Sequence, residues 1–299
     1  MATITTVLDD FVADLKRRQF RPNTITVYRS DLRIAGQHLT LPIAHLTLAA
    51  IEGFLEEGAF APATRARRMA SLKRFFTWAT KQGFCAANPL LSREPARSAT
   101  RRLPRPIQRT ADLEAIDRAI SHLTTPYRLI FTILRETGMR IGEVLTLQLA
   151  DLCLEGGREG LRVREPKNGN ERIAPLGAKA TPKSLRGLRA LVKERKGQGG
   201  YVPLFRSNRG TAVSYAAVQY QWAQLCTALG LVDEQGGKQH LRYTIHQLRH
   251  TRGSELVRHG QPMEIVQRVL GHRDIRSTQG YAALDDVQVR EALERGGQA

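Results

Sequence analysis

At 299 residues, with 41% hydrophobic and 25% charged side chains, the chain has room for about two globular domains and is excluded from the disordered and collagen-like classes. Three widely spaced cysteines without a CxxC (Cys85, Cys153 and Cys226) exclude a disulfide scaffold and a zinc knuckle, and fit a reducing cytoplasm. The formal net charge of +18 points to a polyanionic partner; no apolar run approaches the ~20 residues of a bilayer span, and acids stand where a signal peptide needs basic residues.

In chain order, Val7, Leu8, Phe11 and Leu15 recur at helical spacing and predict a first helix. Pro22-Asn23-Thr24 starts a second through Leu32, and Thr47 caps a third carrying Ile51, Phe54 and Leu55. A fourth is predicted over 62–81, with Met69, Leu72, Phe76 and Ala79 inward and Gly83 at its end. Its other side holds Arg65, Arg67, Arg68, Lys73 and Arg74 with no acid in that stretch, a face that favours phosphate contact. The segment 96–110 then carries five arginines, Arg101 and Arg102 among them, two prolines and no acid. It predicts an extended, solvated, basic linker. The division read from this is a helical DNA-binding domain at 1–95, a linker at 96–109 and a second domain at 110–299.

Downstream the pattern is mixed. Thr110 caps a helix carrying Leu113, Ile116 and Ile120, and another is predicted over 126–136, stopped by Gly138, before a short one from Arg140. Strand-like pieces follow at 152–154, 161–164 and 172–175, with Asn168-Gly169 as a hairpin turn. Helices return over 184–196, 214–229, 246–259, 262–270 and 277–284. The fold class expected is mainly α: a helical domain, then an α+β domain with one small antiparallel sheet.

Four stretches carry candidate chemistry. Thr137-Gly138-Met139-Arg140-Ile141-Gly142-Glu143 sets an arginine at a helix start, where backbone N–H groups already favour an anion, though an Arg140–Glu143 surface pair explains it equally well. Lys167 stands at the predicted hairpin tip, a common place for a solvated lysine. In His246-Gln247-Leu248-Arg249-His250, the residues His246 and Arg249 share one helix face. Zinc on His246 and His250 is disfavoured by the arginine between them and by the lack of the HExxH glutamate. Last come Gly271-His272 and, nine residues after the histidine, Tyr281. Together, two arginines, two histidines, a lysine and a tyrosine suit attack on a phosphodiester without metal. The arginines neutralise charge on the phosphate, the tyrosine is the nucleophile, and lysine or histidine protonates the leaving oxygen.

These boxes, TGMRIGE, HQLRHT and LGHRD with STQGY, resemble the signature of the tyrosine recombinases of phage integrase and Xer type. The order Arg140, Lys167, His246, Arg249, His272, Tyr281 matches that family's catalytic set across nearly the whole chain. The resemblance implies a SAM-like core-binding domain at 1–95 and a catalytic domain with a C-terminal tail at 110–299, with Glu143 supporting Arg140. It begins directly in the core-binding domain, so no arm-binding domain is expected. It also implies double-stranded DNA as substrate, a homotetramer on two duplexes, 3′-phosphotyrosyl intermediates and a Holliday junction, with no cofactor and no metal. An accessory or partner recombinase is compatible with it, as is a place on the nucleoid. Gly142 and Gly280 depart from the larger residues common in relatives, and Gly280 is expected to loosen the tyrosine helix. The tail, with Val289, Ala292 and Leu293 as an apolar stripe, is expected to dock on a neighbouring subunit. A type IB topoisomerase shares the chemistry and is the alternative; a catalytically silent DNA-binding protein is the third reading.

Overall fold

In a computed structural model the described residues are 1–93, 103–154, 157, 159–164, 171–176, 183–272 and 276–282. They fall into two compact units, Met1–Arg102 and Leu103–Ala299. Lys167, Arg101, Arg102, the Asn168-Gly169 turn and the tail beyond residue 282 lie outside the described residues.

The first unit is helical: α1 (Leu8–Arg17), α2 (Pro22–His38), α3 (Leu48–Glu57) and α4 (Pro62–Lys81). Proline opens α2 and α4, where its missing N–H costs nothing, and the Thr47 side chain caps α3 by accepting from Ala50 N. The apolar stripes of these helices meet in a core of Phe11, Leu15, Leu32, Ile51, Phe75 and Phe76. Phe11 sits edge-on to Phe75 at 5.5 Å and to Trp78 at 5.3 Å.

The second unit runs α5 (Thr110–His122), α6 (Tyr127–Thr137), α7 (Ile141–Leu145), β1 (Leu152–Cys153), β2 (Gly160–Val163), β3 (Arg172–Pro175), α8 (Lys183–Glu194), α9 (Tyr215–Ala228), β4 (Val232–Gln235), β5 (Lys238–Leu241), α10 (His246–Arg258), α11 (Met263–Leu270) and α12 (Arg276–Ala282). β1-β2-β3 form an antiparallel meander with Leu161 opposite Ala174. The expectation of one small sheet is corrected by a second, the β4–β5 hairpin. Its strands are exposed almost throughout and polar on both faces, so no alternation marks them; Gly236 and Gly237, with φ of 59° and 72°, make the turn.

The linker expectation also needs correcting in its second half. Residues 103–109 form neither helix nor strand, but Ile107 is 2% exposed and its N–H donates to Thr251 Oγ1 at 2.9 Å. One apolar residue in a charged stretch suffices to bind it to the second unit. Two ties align α6 with α10: Arg135 forks onto both oxygens of Glu255, at 2.8 and 2.5 Å. No helix among the described residues is long and apolar enough to cross a membrane.

Candidate active site

Two left-handed glycines shape the candidate site in the second unit. Gly138 ends α6 at φ +67°, and a Cβ there would stand 2.7 Å from Leu270 Cδ2; Gly271 ends α11 at φ +66°, against the Arg172 guanidinium. The carbonyls exposed by these two turns are taken up by one side chain. Arg249, 3% exposed on α10, donates Nη1 to Gly138 O at 2.6 Å and Nη2 to Leu270 O at 2.8 Å. Burial first, and the neighbouring Arg140 charge second, push its pKa down to about 10, so it remains a cation at neutral pH.

Arg140 is the N-cap residue of α7. Its backbone N–H donates to Glu143 Oε2 at 3.0 Å, and its Nη1 donates to Glu143 Oε1 at 2.9 Å and to Gly271 O at 3.4 Å. Glu143 is buried, and it also takes Nη2 of Arg172 at 2.8 Å. The pairing of Arg140 with Glu143 is therefore an internal brace, not a surface pair. Arg172 on β3 was not singled out in the sequence, because its place beside Glu143 and Gly271 arises only from the packing of β3 on α11.

Tyr281 lies on α12 and is 2% exposed. Its hydroxyl is 3.1 Å from Nδ1 of His250, and its ring stacks parallel to His272 with centroids 6.1 Å apart. His272 in turn has Nδ1 2.9 Å from Thr278 Oγ1 on α12. Burial raises the Tyr281 pKa, while the charges of Arg249 and Arg140 pull it down. His246 opens α10 at the exposed edge of the pocket, edge-on to His250 at 4.7 Å. Loss of water around it, with Arg249 and Arg140 nearby, lowers its pKa. Five of the six sequence candidates for chemistry thus meet here, and Glu143 with them. Tyr243, the other tyrosine near the HQLRH box, is in the core instead: its hydroxyl donates to Asp112 at 2.7 Å, and burial followed by Asp112 pushes its pKa up to about 12.

Gly280 does not interrupt α12; a Cβ there would come 3.0 Å from Pro104 Cδ, a tight contact with the segment before α5. Gly253 is the tighter case, since a Cβ would stand 2.7 Å from Cε1 and Cζ of Tyr281. Gly253→Ala is expected to destabilise the protein by about 1–3 kcal/mol by forcing the ring aside, measured by denaturant unfolding. His250 supplies a pH signature. Burial first, then His246 and Arg249, lower its pKa from 6.5 to about 4. The unfolded chain therefore takes up this proton first, and the stability from this site, present above about pH 6.5, is lost as pH falls towards 4. His250→Asn is expected to flatten the stability profile over that interval.

The five cations of α4 have unequal surroundings. Arg67 ion-pairs with Asp31 of α2, and Arg68, 8% exposed, lies 3.6 Å from the same carboxylate with its guanidinium 3.7 Å over the Phe60 ring. Lys73 donates to the carbonyls of Leu91 and Arg93, at 3.1 and 2.6 Å, and Arg74 lies 4.9 Å from the Phe20 ring centroid. Arg65 is exposed. The expectation of one open cationic face is corrected for Arg68, because a buried acid from the neighbouring helix draws it inward.

A small helical unit followed by a mixed unit that gathers two arginines, three histidines and a buried tyrosine is the layout of a tyrosine recombinase. Residues 109–288 match the model of the phage integrase family, and residues 8–83 that of the phage integrase N-terminal SAM-like domain. The chain belongs to the phage integrase family. It is 27% identical over 288 residues to tyrosine recombinase XerC of Thermodesulfovibrio yellowstonii (91% of this chain, 89% of the relative) and 30% identical over 281 residues to that of Rhodospirillum centenum (88% and 78%). Its fold is that of XerH site-specific recombinase in a post-cleavage complex with palindromic difH substrate (TM-score 0.67, 22% identity, 90% of this chain and 78% of the other). It is likewise that of a lambda integrase dimer bound to a COC′ core site (TM-score 0.66, 22% identity, 92% and 96%).

Proposed function

We propose that the protein is a site-specific DNA recombinase that cleaves and rejoins strands through a 3′-phosphotyrosyl intermediate and a Holliday junction. The observation that carries this is the burial of the Tyr281 phenol against α10, the helix that carries His246, the buried Arg249 and His250, with the hydroxyl 3.1 Å from His250 Nδ1. In this reading the Tyr281 hydroxyl passes its proton to the neutral imidazole of His246 as its oxygen attacks phosphorus, and the 5′ oxygen leaves with a proton from Lys167. The tyrosyl ester keeps the phosphodiester energy, so rejoining needs neither ATP nor metal. Arg140 and Arg249 neutralise the phosphate oxygens, Glu143 holds Arg140 at its angle, and His246 and His272 flank the reacting group. Arg65, Arg67, Lys73 and Arg74 of α4, with Arg101 and Arg102, contact the DNA backbone, and residues 1–95 serve as the core-binding domain.

The assembly proposed is a homotetramer on two duplexes, supported by a lambda integrase tetramer solved on a Holliday junction. The protein acts on chromosomal or mobile-element DNA in the cytoplasm. The test is covalent capture: protein incubated with fragmented DNA is denatured, and the DNA attached to it is sequenced. A discrete recovered site that then supports strand exchange between two duplexes is the expected result. Relaxation of supercoils without exchange would favour the topoisomerase reading, and no covalent DNA would overturn both.

Lys167 is proposed as general acid for the 5′ oxygen. Lys167→Ala is expected to slow cleavage of an ordinary phosphodiester by about 10²–10⁴-fold. A substrate with a 5′-bridging sulfur should be slowed far less, because a thiolate leaves unaided. Equal losses on both substrates would exclude the acid role.

A further inference from the structure

Among the described residues, the hydrogen bond of the Tyr281 hydroxyl goes neither to an arginine nor to either of the histidines in the catalytic set. It goes to Nδ1 of His250, at 3.1 Å, with the two ring centroids 6.0 Å apart. We infer that His250 is the positioning residue of the nucleophile: its Nδ1 accepts the phenolic hydrogen bond and fixes the tyrosyl oxygen beside Arg249 and Arg140. The inference rests on reading Tyr281 as the nucleophile.

Three features of the pocket support it. First, α10 presents His250 and Gly253 one turn apart, so the same helix that holds the hydroxyl leaves room for the ring; a Cβ at Gly253 would reach 2.7 Å from Cζ, the carbon that bears the oxygen. Second, the His272 ring lies parallel to Tyr281 with centroids 6.1 Å apart, so the phenol has a neighbour along its ring as well as a partner at its polar end. Third, the surroundings keep His250 neutral. His246 and Arg249 face it from its own helix, and Tyr281 from α12. A proton there would be cut off from water first and then face His246 and the Arg249 cation, which is why the imidazole resists protonation down to about pH 4.

A neutral imidazole with its hydrogen on Nε2 offers one lone pair at Nδ1, directed at the phenol. So weak a base draws no proton from a phenol whose own pKa burial has raised. Its contribution is therefore geometric: the O–H is aimed, and the oxygen lone pair that attacks is left free. Misplacing a nucleophile by about 1 Å can cost ~10²-fold in rate.

The test uses the full-length chain with His250→Leu, His250→Gln and His250→Asn, on a nicked duplex bearing the site recovered by covalent capture. Asparagine places Oδ1 where Nδ1 was, glutamine carries its acceptor one bond too far, and leucine fills the space with no acceptor. His250→Leu and His250→Gln are expected to lower the adduct-forming rate at saturating protein by about 10²-fold with DNA affinity unchanged. His250→Asn should recover to within about tenfold of wild type. A purely packing role predicts the reverse order, with leucine best, and that result, or wild-type cleavage by His250→Leu, overturns the inference. Should the leucine variant not fold, the asparagine–glutamine comparison decides alone. Fluorine NMR of 3-fluorotyrosine at position 281 gives a readout free of DNA: its resonance should move in His250→Gln and return in His250→Asn. Tyr281→Phe, run in parallel, separates the two ideas. Adduct surviving in that variant removes the nucleophile reading itself, whereas adduct lost there but undiminished in His250→Leu and His250→Gln removes only the positioning role.

Discussion

Tyr281→Phe is expected to abolish the covalent protein–DNA adduct completely while leaving the fold and DNA affinity close to wild type. The substitution removes one oxygen and no ring volume, so the stack on His272 and the contact with Gly253 persist. What is lost is the hydroxyl at His250, a part-buried hydrogen bond worth about 1 kcal/mol. Phenylalanine has no nucleophile, so the residual rate should be below detection rather than merely reduced. Denaturing electrophoresis with an end-labelled nicked duplex reads this directly. A labelled band at wild-type intensity would refute the assignment, and Tyr243 is a poor substitute because its hydroxyl is committed to Asp112 in the core.

Arg249→Ala should strike both catalysis and stability, because it combines two losses. The phosphate loses a charged donor, which at comparable sites costs about 10²–10³ in rate. The carbonyls of Gly138 and Leu270 also lose the fork that satisfies both, at roughly 1–3 kcal/mol for each buried acceptor left alone. Unlike Tyr281→Phe, this variant should therefore show traces of adduct together with a lowered unfolding midpoint. Arg249→Lys is not a rescue, because a single ammonium cannot reach two carbonyls in the geometry of the planar fork. Thermal unfolding and adduct yield measured on the same preparation separate the losses: full stability with no cleavage defect would show that Arg249 does neither job.

Much of the helical skeleton was legible from local signals. Prolines at 22 and 62, the Thr47 cap, and Gly138 and Gly271 in the left-handed region mark helix ends by backbone chemistry that depends on a few neighbours. The spacing of Leu72, Phe76 and Ala79 likewise marks the buried side of α4, since a helix face is a matter of period alone. The β4–β5 hairpin was missed for the complementary reason: exposed on both faces, its residues carry no period, and only its Gly236-Gly237 turn was there to be read.

By itself the sequence determined which side chains with the right chemistry are present, in what order, and, for those among the described residues, on which kind of element each stands. Tertiary structure alone decided what each of them touches. Arg68 and Arg65 are indistinguishable as letters, yet Asp31, 37 positions before Arg68 in the chain, draws Arg68 inward while Arg65 stays in water. Likewise His250 reads as the neighbour of a catalytic arginine until α12 packs against α10 and sets a phenol on its Nδ1. The physical reason is range: helix propensity and capping act over about four residues, whereas burial, pairing and the pKa changes that follow depend on groups brought together from distant parts of the chain.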